Sequence, residues 1–266
     1  MSSAKVEFTV FTKPWKTPLP ELGRFVAGLG FDGVELPVRP GFQVEPAAVA
    51  RGLPEAVRVL ADHGVRIASI AGPTDEKTIA ACAAAGVPII RICCFIPDRT
   101  EYLAGEAEIQ RHFDQLLPLL EKHGVTIGVQ NHCGRSVLTA MDLRHLIAKY
   151  DPRHVAAVLD FGHCGLAGQA PDLALDIVWP HLRLVNFKSA YWRRAEGPPA
   201  GAPRWESCWT GGREGMADWP AAVGELKKRG YQGDVCLTAE YSDKARLNQL
   251  IAEDFEFIGS LFQRAG

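Results

Sequence analysis

Polar side chains that can carry chemistry follow several apolar runs of this chain, at the point where each run ends. The clearest run is Val155–His163, which stops at Asp160 and places His163 three residues later. A carboxylate and an imidazole can both take up and release protons during a reaction. A buried strand that delivers an acid and an imidazole at its carboxyl end is how an α/β barrel builds an active site. We therefore interpret Asp160 and His163 as candidate site residues.

The same pattern recurs at the ends of other apolar runs, where a polar residue follows the last core residue. The further candidates are Glu35, Gln130, Asn131, His132, Asn186, Lys188 and Glu240. Each of them alone could be structural, and Glu35, for example, could cap a loop or pair with Arg39. Burying six or more such groups together without a ligand would be costly. We therefore predict that they converge on one site, with Glu35 and Asn131 among the residues that bind substrate.

Eight short runs rich in Val and Ile alternate with stretches of helical apolar spacing, and such runs are typical of strands buried on both faces. The predicted strands are Val6–Phe11, Gly33–Val38, Arg66–Ala71, Ile89–Cys94, Thr126–Asn131, Ala156–Asp160, Arg183–Lys188 and Asp234–Glu240. The predicted helices include Glu55–His63, Thr78–Ala85, Glu108–His123, Met141–Tyr150, Leu173–Val178 and Pro220–Arg229. The alternation predicts a (β/α)8 barrel. An open doubly wound sheet is the alternative, and it is less favoured because no GxGxxG motif follows the first strand.

The boundaries between these elements carry signals of their own. Glycine follows five helical stretches and can adopt there the left-handed conformation that ends a helix at low cost, at Gly30, Gly64, Gly86, Gly124 and Gly230. Thr139 and Asp218 are suitable N-cap residues, and Pro220 fits a first helical turn. These signals support the division of the chain into alternating strands and helices.

A chain of 266 residues fits one large domain, so we assign residues 1–266 to a single barrel. One insertion breaks the alternation: residues 192–217 form a long loop, rich in Gly and Pro, after the seventh predicted strand. Loops of this length in compact domains are usually functional or disordered. Trp205 and Trp209 favour an ordered lid over the site, and a surface excursion or an oligomer contact is the alternative.

The first residues of this insertion combine a large aromatic ring with two guanidinium groups. Trp192 could stack on a sugar ring, and Arg193 and Arg194 could bind a phosphate or a carboxylate. The alternative is a solvated loop in which Trp192 packs on the rim of the barrel. We predict the ligand-binding role for all three residues.

Composition narrows the class of protein and its surroundings. Hydrophobic residues make up 47% of the chain, which supports a large core, and a net charge of −2 argues against a broad nucleic-acid-binding surface. No run approaches the length of a membrane span, and the first residues lack the pattern of a signal peptide. Seven cysteines without a CxxC motif indicate reduced thiols in a cytosol-like compartment. We therefore expect a cytoplasmic protein that binds neither membranes nor nucleic acid.

Taken together, the motifs resemble those of the sugar phosphate isomerase/epimerase family of xylose isomerase-like barrels, and the resemblance covers essentially the whole chain. It rests on the order and spacing of Phe31–Glu35, Gln130–Gly134, Asp160–His163, Val185–Lys188, Gly215–Trp219 and Ala239–Glu240. The resemblance implies a TIM barrel that acts on a small sugar substrate, and many similar barrels are homo-oligomers. The family also includes apurinic endonucleases with a His-rich zinc site. The third and fourth predicted strands end without the histidines such a site would need, so that function is disfavoured.

The resemblance also implies a divalent metal ion held by Glu, Asp, His and Glu from the last four strands. Asp160 and Glu240 match this set, whereas Gln130 replaces the first Glu and Asn186 replaces the His. Two carboxylates and two neutral amides favour Mg²⁺ or Mn²⁺ over Zn²⁺. The alternative is a metal-free pocket in which Gln130 and Asn186 hydrogen-bond a sugar.

The resemblance implies that the carboxylates of the fifth and eighth strands act as a pair of bases. In this chain Gln130 stands at the position of the first carboxylate, and an amide cannot take up a proton. Glu240 remains as the candidate base, with Lys188 or a metal ion stabilising the enolate oxygen and His163 or His132 moving a second proton. The resulting hypothesis is a sugar or keto-sugar isomerase. The alternatives are a lyase acting by β-elimination on an oxidised sugar or cyclitol, and a barrel that binds carbohydrate without turnover.

Overall fold

Eight parallel strands close into a barrel in the computed structural model, which describes residues 6–197 and 201–263. The strands follow one another around the barrel in chain order, and the last pairs with the first. They are β1 (Glu7–Phe11), β2 (Gly33–Pro37), β3 (Arg66–Ala71), β4 (Ile89–Cys93), β5 (Thr126–Gln130), β6 (Val155–Asp160), β7 (Leu182–Phe187) and β10 (Asp234–Leu237). The predicted (β/α)8 architecture and all eight predicted strands are thereby confirmed.

The helices pack around the outside of the barrel and return the chain from the end of each strand to the start of the next. They are α1 (Leu19–Leu29), α2 (Val49–Ala61), α3 (Glu76–Ala85), α4 (Tyr102–His123), α5 (Ala140–Ile147), α6 (Phe161–Leu166), α7 (Pro171–Val178), α8 (Trp219–Lys228) and α9 (Leu247–Gln263). The six helices specified from apolar spacing are all present. Both α2 and α4 begin six residues earlier than predicted, because Gly52 and Pro54 in α2 and Gly105 in α4 have low helix propensity and masked the early turns.

The sequence signals at the element boundaries match the observed caps. All five predicted glycines have positive φ angles, between 62° at Gly124 and 92° at Gly30. The Thr139 hydroxyl accepts a hydrogen bond from the Asp142 backbone N–H, and the Asp142 carboxylate accepts one from the Thr139 N–H. This reciprocal pair satisfies backbone donors that would otherwise be orphaned where α5 begins.

Two apolar regions stabilise the barrel. The larger one lies between the strands and the surrounding helices. The smaller one consists of strand side chains alone and fills the barrel interior, with Phe11, Ala71, Ile89, Val158, Leu184 and Cys236 as its members. The residues two positions further along several of these strands are polar, among them Arg91, Asp160 and Asn186. Because side chains on one face of a strand repeat every second residue, these polar groups lie in the next layer of the interior.

The insertion after β7 is a β-hairpin and not the predicted long loop. It consists of β8 (Ser189–Glu196) and β9 (Arg204–Thr210), paired antiparallel. An ion pair between Arg193 and Glu206, which lie opposite each other, supports this pairing. The Gly- and Pro-rich segment between the strands obscured the hairpin in the sequence, and residues 198–200 of that segment lie outside the described residues.

All seven cysteines lie within the described residues and are free. Four of them, including Cys82 and Cys164, are buried in apolar surroundings that raise the pKa of their thiols. Among the described helices, none combines the length and the apolar character that crossing a bilayer requires.

Candidate active site

A cavity of about 480 Å³ opens at the carboxyl ends of the strands, where TIM barrels carry their active sites. The polar and charged residues that line it include Lys13, Arg39, Gln130, His132, Lys188 and Glu240. A neighbouring cavity of about 620 Å³ shares Lys13, His132 and Glu240 with the first and is bounded by the hairpin residues Ser207 and Trp209. Four of the strand-end residues predicted from the sequence therefore line one mouth, with the hairpin beside it: Gln130, His132, Lys188 and Glu240.

The centre of this site is the ammonium group of Lys188, which lies between two carboxylates. Its Nζ atom is 2.7 Å from Oε2 of Glu240 and 3.4 Å from Oδ2 of Asp160. The Trp209 ring covers it, with Nζ 4.4 Å from the ring centroid. Only 5% of Lys188 is exposed, so these contacts act in surroundings from which most water is excluded.

Lys188 is held from below by two close contacts of its backbone and side-chain stem. The Trp219 indole N–H donates a hydrogen bond of 3.3 Å to its carbonyl oxygen. Gly162, at the start of α6, lies so close that a Cβ atom there would be 2.5 Å from Cγ of Lys188 and 2.9 Å from its carbonyl oxygen. The glycine of the Asp160–His163 motif is thus required by packing, since any side chain would displace the ammonium.

The charge of each group follows from its neighbours. Burial by itself would lower the pKa of Lys188, but the carboxylates of Asp160 and Glu240 outweigh it and raise that pKa. Burial by itself would raise the pKa of Glu240, but the ammonium groups of Lys188 and Lys13 hold it well below its ordinary value. Glu240 is therefore a carboxylate and Lys188 an ammonium at neutral pH.

Asp160 is fully buried and is surrounded by hydrogen-bond donors. Its Oδ2 accepts from Nε2 of Gln130 at 2.7 Å, and its Oδ1 accepts from the His163 backbone N–H at 3.1 Å, which caps α6. Asn131 holds the backbone of Asp160 on both sides, accepting from its N–H at 2.7 Å and donating to its carbonyl at 3.2 Å. The predicted substrate-binding residue Asn131 is itself fully buried, and both polar atoms of its side chain contact protein groups.

The two predicted histidines lie beside each other, with ring centroids 4.2 Å apart. His163 is buried, and its Nδ1 accepts from the Cys133 N–H, so a neutral ring carries its proton on Nε2. His132 donates from Nδ1 to the Cys133 carbonyl at 2.8 Å, which leaves the lone pair on its Nε2 available. Burial lowers the pKa of both rings. Both are therefore neutral at pH 7, and His132 is the one that lines the cavities.

Asn186 lies on β7 between Asp160 of β6 and Cys236 of β10. Its side chain is fully buried, and within the described residues neither its amide oxygen nor its amide nitrogen has a hydrogen-bond partner. The hydroxyl of Thr238, which lines the first cavity, is likewise without a partner among the described residues. Buried polar groups are normally satisfied, and of these two side chains only Thr238 borders the cavity and could bond a polar ligand there.

The four-residue metal set expected from the resemblance does not fit a divalent ion in this arrangement. The ammonium of Lys188 contacts both carboxylates of the set, Asp160 and Glu240, and Lys13 forms a second ion pair with Glu240 at 2.9 Å. Two ammonium groups therefore already balance the two carboxylates. Gln130 turns a hydrogen-bond donor, not its carbonyl oxygen, towards Asp160. A divalent cation would have to displace Lys188 against charge repulsion before it could bind.

A second group of possible metal ligands consists of His132, Cys133 and His163, whose ligand atoms lie within 4.8 Å of one another. The hydrogen bonds of His163 oppose this use. Its Nδ1 lone pair accepts from the Cys133 N–H, and the proton of the neutral ring is therefore on Nε2. The three side chains do not offer three free lone pairs as they stand.

Glu35, predicted to bind substrate, is fully buried beneath the cavity and does not line it. Its carboxylate forms an ion pair with Arg91 of β4 and accepts a hydrogen bond of 3.0 Å from the Ser69 hydroxyl. Arg39, which the sequence offered as an alternative ion-pair partner of Glu35, does not pair with it. Glu35 and Arg91 thus form a buried pair that ties β2 to β4 across the interior.

The remaining predicted ligand-binding residues lie on β8 and outside the lining of the two cavities. Trp192 is 41% exposed and donates from its indole N–H to the Leu166 carbonyl at 2.9 Å. Arg193 forms its ion pair with Glu206, and Arg194 donates to the Gly197 carbonyl. In this structure Trp192 packs on the rim of the barrel, and both guanidinium groups contact the hairpin itself.

Three charged residues of the cavity were missed by sequence reasoning. Lys13 and Arg39 each lie two residues beyond the end of a strand, β1 and β2, and the strand-end rule applied to those strands would have found them. Arg91 had a different signal, because a charged residue interrupts the apolar run Ile89–Cys93. Trp209 was recognised as an aromatic residue of the insertion, but its contact with Lys188 could not be read from the sequence.

A family model described as xylose isomerase-like TIM barrel matches residues 24–261. No curated protein sequence matches the chain. Several solved structures share the fold. D-psicose 3-epimerase with D-tagatose from Clostridium cellulolyticum H10 aligns with a TM-score of 0.73 at 13% identity, over 97% of this chain and 99% of that one.

Two further structures of similar fold come from other bacteria. The probable 3-DHS dehydratase AsbF from Bacillus anthracis aligns with a TM-score of 0.71 at 14% identity, over 96% of this chain and 99% of that one. A xylose isomerase-like TIM barrel protein from Mycobacterium smegmatis in complex with magnesium aligns with a TM-score of 0.71 at 18% identity, over 98% of both chains. At these identities the likeness shows a shared barrel.

Proposed function

The chain belongs to the xylose isomerase-like TIM barrel family, and we propose that it is a sugar or keto-sugar isomerase. In this proposal Glu240 removes a proton from the carbon next to the substrate carbonyl. Lys188 supplies the positive charge that stabilises the resulting enolate. The observation that carries the proposal is the contact of the Lys188 ammonium with the Glu240 carboxylate at the cavity mouth.

Lys188 has the donor that such a role requires. An ammonium carries three N–H groups, of which one contacts Glu240 and one faces Asp160. The third remains for a substrate carbonyl oxygen in the cavity that Lys188 lines. When the proton leaves carbon, negative charge develops on that oxygen, and a preorganised ammonium in a water-poor site stabilises it more than water would.

Glu240 is placed and charged to act as the base. Its side chain is 25% exposed and lines both cavities, so a substrate can reach it. Its lowered pKa keeps it in the carboxylate form that can accept a proton. The same lowered pKa makes it a weak base at rest. We expect its basicity to rise when a substrate oxygen draws the Lys188 ammonium towards itself.

An isomerase must also move a proton between the two oxygens of the substrate. His132 is suited to this step because it is neutral, borders both cavities and keeps an available lone pair on Nε2. Thr238 lines the first cavity, and its hydroxyl has no partner among the described residues, so it is suited to orient a substrate hydroxyl group. A proton removed by Glu240 and returned on the same face to the neighbouring carbon completes an aldose–ketose exchange.

The matching test is a screen for solvent deuterium exchange into sugars, keto-sugars and their acidic derivatives, followed by ¹H NMR. We expect wild-type protein to exchange the proton next to the carbonyl and to form the isomer, and the Glu240→Gln variant to be slower by at least about 100-fold. Exchange that persists in the variant would contradict the role of Glu240. Exchange accompanied by loss of water, without an isomer, would instead identify a lyase. In that case His132 is placed to serve as the acid for the leaving group.

A further inference from the structure

Arg39 is a charged residue of the cavity that the proposed chemistry does not use. It follows β2, is half-buried, and lines the same cavity as Lys188 and Glu240. Within the described residues its guanidinium forms neither an ion pair nor a hydrogen bond. Its Cζ atom lies 5.8 Å from the centroid of the Phe11 ring. A partly buried cation that faces a cavity without a counter-charge is costly unless a ligand supplies one.

The charged side chains around the cavity include one more cation than carboxylates. The cations are Lys13, Arg39, Arg91 and Lys188, and the carboxylates that face them are Glu35, Asp160 and Glu240. Each carboxylate is paired with a cation other than Arg39. Burial and the neighbouring charge of Arg91 lower the pKa of Arg39 by more than the charges of Glu35 and Glu240 raise it. The cavity is therefore complementary to a ligand with a single negative charge.

We propose that Arg39 binds a carboxylate of the substrate, so that the substrate is an acidic sugar. This assignment rests on the proposed function for the identity of the site, and it adds the chemical class of the molecule that enters it. The guanidinium presents a planar fork of N–H donors that matches a carboxylate in two parallel hydrogen bonds. A phosphate has the same recognition chemistry, but at neutral pH it carries more than one charge and would leave the cavity with excess negative charge.

Arg39 and the proposed catalytic residues line the same cavity, so a sugar acid bound there could contact both. Arg39 and Lys188 line a single volume of about 480 Å³, which is within the range of small-molecule sites. The carboxylate would bind at Arg39 while the reacting carbonyl meets Lys188 and Glu240. Arg193 and Arg194, which the sequence offered for this purpose, contact the hairpin and lie outside the cavity lining.

The experiment uses matched ligands that differ only at one carbon. D-glucuronate, D-glucose and D-glucose 6-phosphate are titrated into the intact protein by calorimetry, and the galactose and mannose trios are treated in the same way. We expect at least one uronate to bind 10-fold or more tightly than its neutral sugar and more tightly than its phosphate. We expect Arg39→Met to weaken that uronate by roughly 10- to 100-fold without changing the affinity for the neutral sugar.

Two further variants separate a lost contact from a damaged fold. Arg39→Lys keeps the charge but loses the planar fork, so its uronate affinity should lie between those of wild type and Arg39→Met. Arg58→Met removes an exposed arginine on α2, whose side chain is 69% exposed, and should bind like wild type. Circular dichroism of each variant checks that the barrel is retained.

The outcomes distinguish this inference from the proposed function. Equal affinity for acid and neutral sugar in all three trios, an unchanged affinity in Arg39→Met, or a preference for the phosphate overturns the assignment of Arg39 to a carboxylate. If the Arg39 assignment fails in this way but Glu240-dependent exchange still occurs on a neutral sugar, the proposed function stands without the carboxylate site. If Arg39 governs uronate binding but no ligand exchanges deuterium, the carboxylate site stands and the proposed function fails.

Discussion

Replacing Lys188 by methionine removes the central charge of the site while nearly preserving the length of the side chain. Asp160 is fully buried and has Lys188 as its ion-pair partner, so the variant leaves a buried carboxylate without a counter-charge. Breaking a buried ion pair in this way costs about 3 to 5 kcal/mol. We expect the free energy of unfolding at pH 7.5 to fall by that amount. The loss should shrink at low pH, where Asp160 can take up a proton.

The same variant should acquire a metal site. Without the ammonium, the Asp160 and Glu240 carboxylates face a common space, and the amides of Gln130 and Asn186 lie nearby. Hard divalent ions prefer such oxygen ligands. We therefore expect Mn²⁺ to stabilise Lys188→Met, by about 2.7 kcal/mol when its concentration is 100 times the dissociation constant. Wild-type protein, whose carboxylates are already balanced, should gain little.

Urea unfolding followed by circular dichroism, with MnCl₂ or with EDTA, measures both effects. Lys149→Met is the matched control, because Lys149 pairs with Asp114 on the surface and both side chains are 48% exposed. The control should lose far less stability and should not respond to Mn²⁺. The reasoning is refuted if Lys188→Met is as stable as the control, or if wild type is stabilised by Mn²⁺ as strongly as the variant.

Three further variants test separate parts of the structure. Asp254 lies in α9, and burial raises the pKa of its carboxyl group to about 6. Its contribution to stability is therefore largest below about pH 4 and declines as pH rises through 6. The difference in unfolding free energy between wild type and Asp254→Asn should fall by roughly 2 to 3 kcal/mol between pH 4 and pH 7. Glu35→Gln leaves Arg91 buried without its counter-charge and should lower the free energy of unfolding by about 3 to 5 kcal/mol. A loss of ligand affinity at unchanged stability would instead restore Glu35 as a binding residue. Gly162→Ala places a methyl group against Lys188. The variant should slow deuterium exchange by at least about 10-fold and lower the free energy of unfolding by about 1 to 3 kcal/mol. An unchanged exchange rate would contradict the tight contact.

The barrel could be predicted because its signals are local. Each strand is a short run buried on both faces, and a left-handed glycine such as Gly86 or Gly124 stands where the preceding helix ends. The helix α6 was harder to identify, since its six residues are too short for periodicity. The hairpin of β8 and β9 was hidden because its pairing joins residues on either side of a Gly- and Pro-rich segment.

The site could be located from the sequence, but its internal partnerships could not. The strand-end rule placed Asp160, Lys188 and Glu240 at one mouth, because the carboxyl ends of parallel barrel strands lie together. Which cation meets which carboxylate depends on strand register and side-chain direction. Glu35 therefore pairs with Arg91 from inside a strand and not with Arg39, four residues away.

The metal site implied by the resemblance likewise depends on contacts that the sequence does not reveal. The resemblance supplied positions for four ligands, and the sequence showed that two of them had become amides. The position of the Lys188 ammonium between the remaining carboxylates follows from the close packing of Gly162 and Trp219 beneath it. That packing is a tertiary contact, which no spacing along the chain reveals.

We propose that Lys188, rather than a divalent ion, provides the positive charge opposite Glu240. The most direct measurement is the rate of solvent deuterium exchange into substrate by wild-type protein after exhaustive dialysis against EDTA. We expect this rate to equal the rate with added Mn²⁺ and to exceed that of Glu240→Gln by at least about 100-fold. A rate that falls to the level of Glu240→Gln in EDTA and returns with Mn²⁺ would contradict it.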